Sequence, residues 1–144
     1  MPEVKTSEST DPESGFQVAI WQRGRESVTI VLSGELDLAS APRFRSALAD
    51  LAVAGILDVV VDVANLQFID STGIGILVTD FKRLTHDGGS IAIRNAGPRI
   101  YRLFEMTGLI EPLSVTPLAI ETPVIQSVEG RGKARPQVRL SAID

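Results

Sequence analysis

Val59-Val60-Val61-Asp62-Val63 is short, apolar and β-branched, and it is soon followed by Asp70-Ser71-Thr72-Gly73. The valine run reads as a strand with at least one buried face. Beyond the turn, Ile74, Leu77, Val78, Phe81 and Leu84 fall at i, i+3, i+4, i+7 and i+10, one stripe of an amphipathic helix. That helix opens at Ser71 and stops at His86-Asp87-Gly88-Gly89. Its phase turns Ile74, Leu77, Val78 and Phe81 inward, and leaves Ile76, Thr79, Lys82 and Arg83 facing out near Ser71. A strand feeding a helix through a tight turn defines an α/β unit.

The same punctuation continues on both sides. Phe16 to Gln22 alternates apolar and polar, Arg23-Gly24-Arg25-Glu26 turns, and Val28 to Leu32 returns, which is a hairpin pattern. Ser40 ahead of Pro42 starts a helix whose Phe44, Leu48 and Leu51 recur at helical spacing. Downstream, Ile91-Ala92-Ile93 is a short strand. Pro98 opens a helix with Ile100, Leu103 and Phe104 inward, and Gly108 closes it. Leu113 to Val115 supplies a last strand. The expected order is β-β-α-β-α-β-α-β, with parallel neighbours joined by right-handed crossovers. Ser33 to Asp37, Asp70 to Gly73 and Asn95 to Pro98 then share one sheet edge, where open α/β sheets tend to bind their ligands.

The chain has 144 residues, 44% hydrophobic, enough for one domain with a real core and too few for two. The ordered domain is expected over 16–117. Residues 1–15 are polar, acidic and short of anything to bury, so a disordered tail is expected there. The extension 118–144 is expected to be mostly flexible, with Arg131, Lys133, Arg135 and Arg139 as a solvated basic stretch. A net charge of -4 argues against a nucleic-acid binder. No apolar run approaches the roughly 20 residues that span a bilayer, and the N-terminus is unlike a signal peptide. With no cysteine, disulfides and thiolate chemistry drop out. The expected setting is cytoplasmic.

Several chemistries can be weighed at the Asp70–Gly73 turn. A serine between strand and helix suggests a hydrolase nucleophile, but Ile69 stands where that elbow needs glycine. The sole histidine, His86, would lie roughly 20 Å away at the far end of one helix. Gly73-x-Gly75 is a fragment of a dinucleotide fingerprint with Val78 in place of its third glycine, and no phosphate loop is present. Glu35, Asp37 and Asp70 could gather a divalent cation, yet no metal-binding loop surrounds them. Either Asp70 or Ser71 could also serve simply as the helix N-cap.

Three segments in register carry a family resemblance. Ser33-Gly34-Glu35-Leu36-Asp37-Leu38-Ala39-Ser40-Ala41-Pro42, Phe68 to Gly75, and Arg102-Leu103-Phe104-Glu105-Met106-Thr107-Gly108-Leu109 closely resemble the STAS domains of bacterial anti-sigma factor antagonists. The resemblance runs from about Phe16 to Val115. It implies a mixed β-sheet packed with α-helices, no catalysis, no cofactor and no metal. It also implies a partner, an anti-sigma factor that is often itself a serine kinase, and a phosphatase that reverses its action. The phosphorylated serine would be Ser71, with Thr72 as the competing acceptor. Glu35, Asp37, Asp70, Ser71, Thr72 and Gly73 would form the partner surface, joined by Ile76 and Thr79 on the outer side of the helix. Two alternatives remain: a non-switching STAS subunit supporting a membrane transporter, and a nucleotide-binding domain using Gly73-Ile74-Gly75.

Overall fold

The computed structural model describes residues 4–10 and 15–119. In chain order its elements are β1 (Val4–Thr10), β2 (Gln17–Gln22), β3 (Ser27–Leu36), α1 (Ala41–Val53), β4 (Asp58–Ile69), α2 (Ser71–His86), β5 (Ser90–Ala96), α3 (Pro98–Met106) and β6 (Val115–Pro117). The strands form one six-stranded sheet in sequence order. β1, β2 and β3 pair antiparallel, and β3 to β6 are parallel. This is the expected mixed α/β architecture, with one strand more at its start.

That strand corrects the reading of residues 1–15 as a disordered tail. Val4–Thr10 pairs with β2, Val4 opposite Gln22 and Thr10 opposite Gln17. Composition offered nothing to bury there, but an edge strand can be held by its backbone ladder, which does not require apolar alternation. The flexible extension expected over 118–144 lies outside the described residues from position 120 onward.

One face of the sheet supplies the core. Val18, Ile20, Val28, Ile30, Leu32, Val59, Val61, Val63, Ile91 and Ile93 are buried at alternate positions of β2 to β5, the period-2 pattern of a sheet covered on one side. α2 packs on β4 and β5, α3 on β4 to β6, and α1 lies beside α2. Phe44 of α1 and Phe104 of α3 are 0% exposed, so each helix anchors its buried face with an aromatic ring. Ile100 is buried as expected, whereas Leu103 is only partly so. Gly108, at φ 73°, closes α3 in the left-handed conformation that glycine adopts without strain.

Two strands run further than their valine-rich centres indicated. β3 continues through Ser33-Gly34-Glu35-Leu36, and β4 continues to Ile69, with Leu36 opposite Ile69 at the end of the pair. Irregular register near Ser33 and Gly34 accompanies this extension. Gly34 sits at φ 88°, and a Cβ there would stand 2.6 Å from the Gly15 carbonyl oxygen, so no other residue fits. The ends of β3 and β4 therefore project together. β5 does not follow them. Arg94 pairs with Asp62, which leaves Ala96 level with Ala64, well short of Ile69. The turn Asn95–Pro98 is thus not part of the edge that carries Asp70 and Ser71.

Candidate functional site

The projecting end of the β3–β4 pair is built by three local devices. Leu36 is buried under the start of α2, and the Asp70 N–H donates to its carbonyl at 3.1 Å, tying the two strand ends together. Asp70 then caps α2. Its backbone is extended, and its Oδ1 accepts from the N–H groups of Thr72 (2.9 Å) and Gly73 (3.2 Å). Of the two possible caps, the aspartate has the role. Gly73 lets the helix sit down on this platform, because a Cβ there would lie 2.8 Å from Leu36 Cγ and 2.9 Å from Ile69 Cγ1.

The adjoining turn is held by Asp37 and Ser40. Asp37 Oδ1 accepts from the N–H groups of Ala39 and Ser40, both at 3.0 Å. The fully buried Ser40 hydroxyl donates to the Glu35 carbonyl at 2.7 Å and accepts from the Asp37 N–H at 2.9 Å. Ser40 stands at the N-cap position of α1, but its hydroxyl bonds back into the turn rather than forward into the helix. Asp37 is therefore a shaping residue, occupied with its own backbone.

On this platform Ser71 is the first residue of α2 and is exposed. Among the described residues, no side-chain hydrogen bond restrains its hydroxyl. Thr72 is half-buried, Glu35 is exposed, and Gly73 is covered. Two apolar residues that sequence reading passed over stand out here. Leu38, in the turn after β3, is 74% exposed, and Phe68, directly opposite Glu35 in the strand ladder, is 47% exposed. Their signal was present in the sequence, since a leucine in a polar turn and a phenylalanine beside an inward Ile69 both break the local pattern. The edge thus presents a hydroxyl, an acid and two uncovered apolar side chains together.

The outer face of α2 differs from expectation. Thr79 is exposed as predicted, but Ile76 is 7% exposed and does not stand free as a partner contact. α2 packs on the sheet below and also on α1 beside it, so its apolar arc is wider than one stripe. Val78 and Phe81, placed inward by the sequence, are only half-buried. The same interface holds Asp80, 5% exposed, which no pattern flagged. Its Oδ1 receives both Nε (3.1 Å) and a terminal nitrogen (2.8 Å) of Arg83, while Oδ2 has no hydrogen-bond partner among the described residues. Burial pushes the Asp80 carboxyl above the ordinary carboxylate range, and Arg83 offsets part of that rise.

No general base approaches Ser71 along its own helix. His86 closes the opposite end of α2, exposed and beside Asp87. Among the described residues no group of three or more His, Asp or Glu side chains is placed to hold a metal ion. None of their helices is long and apolar enough to cross a membrane. What the arrangement offers is an accessible hydroxyl on a rigid edge.

A mixed sheet with three helices between its parallel strands thus carries, at its projecting edge, an Asp-Ser turn whose aspartate caps the helix that follows. The family model of the STAS domain matches residues 20–122, and the chain belongs to that family. It is 33% identical over 95 residues to the anti-sigma-B factor antagonist of Bacillus subtilis (strain 168), an alignment covering 66% of this chain and 86% of that protein. The crystal structure of an anti-sigma factor antagonist from Mycobacterium paratuberculosis superposes with a TM-score of 0.65 at 23% identity, covering 76% of this chain and 91% of the other. The phosphorylated form of the Bacillus cell fate determinant SpoIIAA superposes with a TM-score of 0.58 at 25% identity, covering 69% and 89%.

Proposed function

We propose that this protein is an anti-sigma factor antagonist that binds an anti-sigma factor through the Ser71 edge and so releases a sigma factor. The anti-sigma factor is a serine kinase that phosphorylates Ser71 and thereby ends the interaction, and a phosphatase restores it. The reading places the protein in the cytoplasm, acting without a cofactor, without nucleic acid and without membrane insertion. Glu35, Leu38, Phe68, Ser71, Thr72 and Thr79 make the contact, and Asp37, Asp70 and Gly73 hold the edge in shape.

The observation that carries this reading is the exposed Ser71 hydroxyl on a helix end whose cap is a different residue. A phosphate there adds about -1.5 to -2 charges without removing a bond the fold needs. The helix dipole favours that anion by about 0.3 to 1 kcal/mol. Two of the free amides are already taken by Asp70, which keeps the gain small. A partner carboxylate packed about 5 Å from the new charge would lose about 3 kcal/mol per unit charge at an effective dielectric near 20. That is a loss of roughly a hundredfold in affinity for each unit of charge. The switch acts on the interface and spares the domain.

Incubation with the cognate anti-sigma kinase and ATP, followed by mass spectrometry, tests the assignment. Phosphate on Ser71, absent from Ser71→Ala, is the expected result. Phosphate on Thr72 with Ser71 unmodified contradicts it.

A further inference from the structure

The sheet has a second face. Val18, Ile20, Val59, Val61, Ile91 and Ile93 point into the core, so the residues between them point the other way. Strand register gathers these into rows. Trp21, Thr29, Val60 and Ala92 lie side by side, and Ala19, Val31, Asp62 and Arg94 form the row beside them. Ala19, Trp21, Val31, Val60 and Ala92 are half-buried, and Thr29 is buried. The face is also hollowed, with an open recess of about 450 Å³ lined by Ser27, Asp58, Val60, Ser90, Ala92 and Arg94. Parallel strands such as β3 to β6 are usually covered on both faces. An apolar band running across four strands marks a surface that takes a cover.

Path, length and charge point to the segment that follows β6. The Leu118 N–H donates to the Ala96 carbonyl at 2.8 Å, so the described chain ends against β5, at one side of this face. Residues 120–144 continue from there. From β6 to β2 the strands are separated by about 19 Å in all. Residues 120–128 in extended form reach about 30 Å, enough to cross. They carry Ile120, Val124, Ile125 and Val128. Glu121 comes early in the crossing, where exposed Arg94 stands on β5. Beyond Gly130, the segment turns basic with Arg131, Lys133, Arg135 and Arg139. The face offers them Asp58 and Asp62. Among the described residues these two carboxylates bond neutral donors, Asp58 the Ser90 hydroxyl at 2.9 Å and Asp62 the Asn95 side-chain amide at 3.1 Å.

We infer that residues 120–144 dock on the outward face of the sheet, their apolar part lying across Ala92, Val60, Val31 and Trp21 and their basic part meeting Asp58 and Asp62. The segment whose composition reads as a flexible extension is then a cover of the domain itself. Its contact is separate from the Ser71 edge and holds whether or not that edge binds an anti-sigma factor.

Trp21 is the chain's one tryptophan and lies on this face, so its fluorescence reports the cover. The test uses the full chain. Val124→Asp combined with Ile125→Asp puts charge into the apolar crossing. That double variant is expected to shift Trp21 emission to the red, raise its quenching by acrylamide and melt a few degrees lower, with circular dichroism close to wild type. Replacing Arg131, Lys133, Arg135 and Arg139 with glutamate is expected to move the same signals in the same direction, since it sets like charges against Asp58 and Asp62. Val53→Asp, an added acid at an exposed position of α1, is expected to leave Trp21 unchanged. Wild-type emission and quenching in both segment variants would overturn the inference. Trp21 protection that rises with protein concentration would overturn it too, because a second copy would then be the cover.

Discussion

Asp70 and Ser71 are both good helix caps by residue type, and only the backbone separates them. Asp70 is extended and bonds two amides of the first turn, whereas Ser71 is already helical. Asp70→Ala should therefore cost about 0.5 to 2 kcal/mol in chemical denaturation. Ser71→Ala should stay within about 0.5 kcal/mol of wild type, as exposed sites usually do. Equal losses for the two would reverse the assignment of the cap. Asp80 gives a second test at this scale. Its carboxyl is raised by burial in the folded state, so its protonated form favours folding and that contribution fades as pH climbs through the raised value. Asp80→Asn, which cannot ionise, should gain stability relative to wild type as pH rises from acid toward neutral in thermal melts. A relative loss over that range would mean that the Arg83 pair outweighs desolvation. The sequence offered both Asp70 and Ser71 as caps without choosing between them and gave no sign of the role of Asp80, because each role depends on what a single oxygen touches.

At the scale of the element, α2 was read correctly in its extent and only half correctly in its faces. The i, i+3, i+4, i+7 stripe located the sheet-facing side, and Leu77 and Leu84 are fully buried. A stripe cannot report a second neighbour, and α1 is that neighbour. Ile76 consequently belongs to the helix–helix contact, and its treatment as a free partner residue fails. Ile76→Asp puts an unpaired carboxylate into that contact and should destabilise the domain by about 3 kcal/mol or more, visible as a large drop in melting temperature. A variant that melts like wild type yet binds poorly would restore the outward reading. The strand ends tell a similar story. Valine runs marked the centres of β3 and β4, but the outer ends contain glycine, acids and asparagine that no alternation rule extends. Those ends are the ones that carry the site.

For the molecule as a whole, the alternation of strand and helix was enough to give the parallel order of β3 to β6. The strand at the front was missed because a polar sequence on a sheet edge has no hydrophobic signature. β1 covers the outer edge of β2, whose backbone would otherwise be open to pairing with another chain. Removing residues 1–14 should therefore raise self-association, read as a concentration-dependent increase in mass by analytical ultracentrifugation. A truncated protein that stays monomeric at every concentration where the full chain does would show that the edge needs no cover.

The arrangement of these levels, an exposed hydroxyl on a capped helix set on a rigid strand pair, makes one central claim. Charge at Ser71 changes what the edge binds and leaves the fold intact. The direct measurement compares the unmodified and Ser71-phosphorylated proteins in two assays, equilibrium binding to the anti-sigma factor and thermal melting. The account predicts an affinity lower by roughly a hundredfold or more and melting within a few degrees. Equal affinity in the two forms, or a phosphorylated protein that loses binding only because it unfolds, would contradict it.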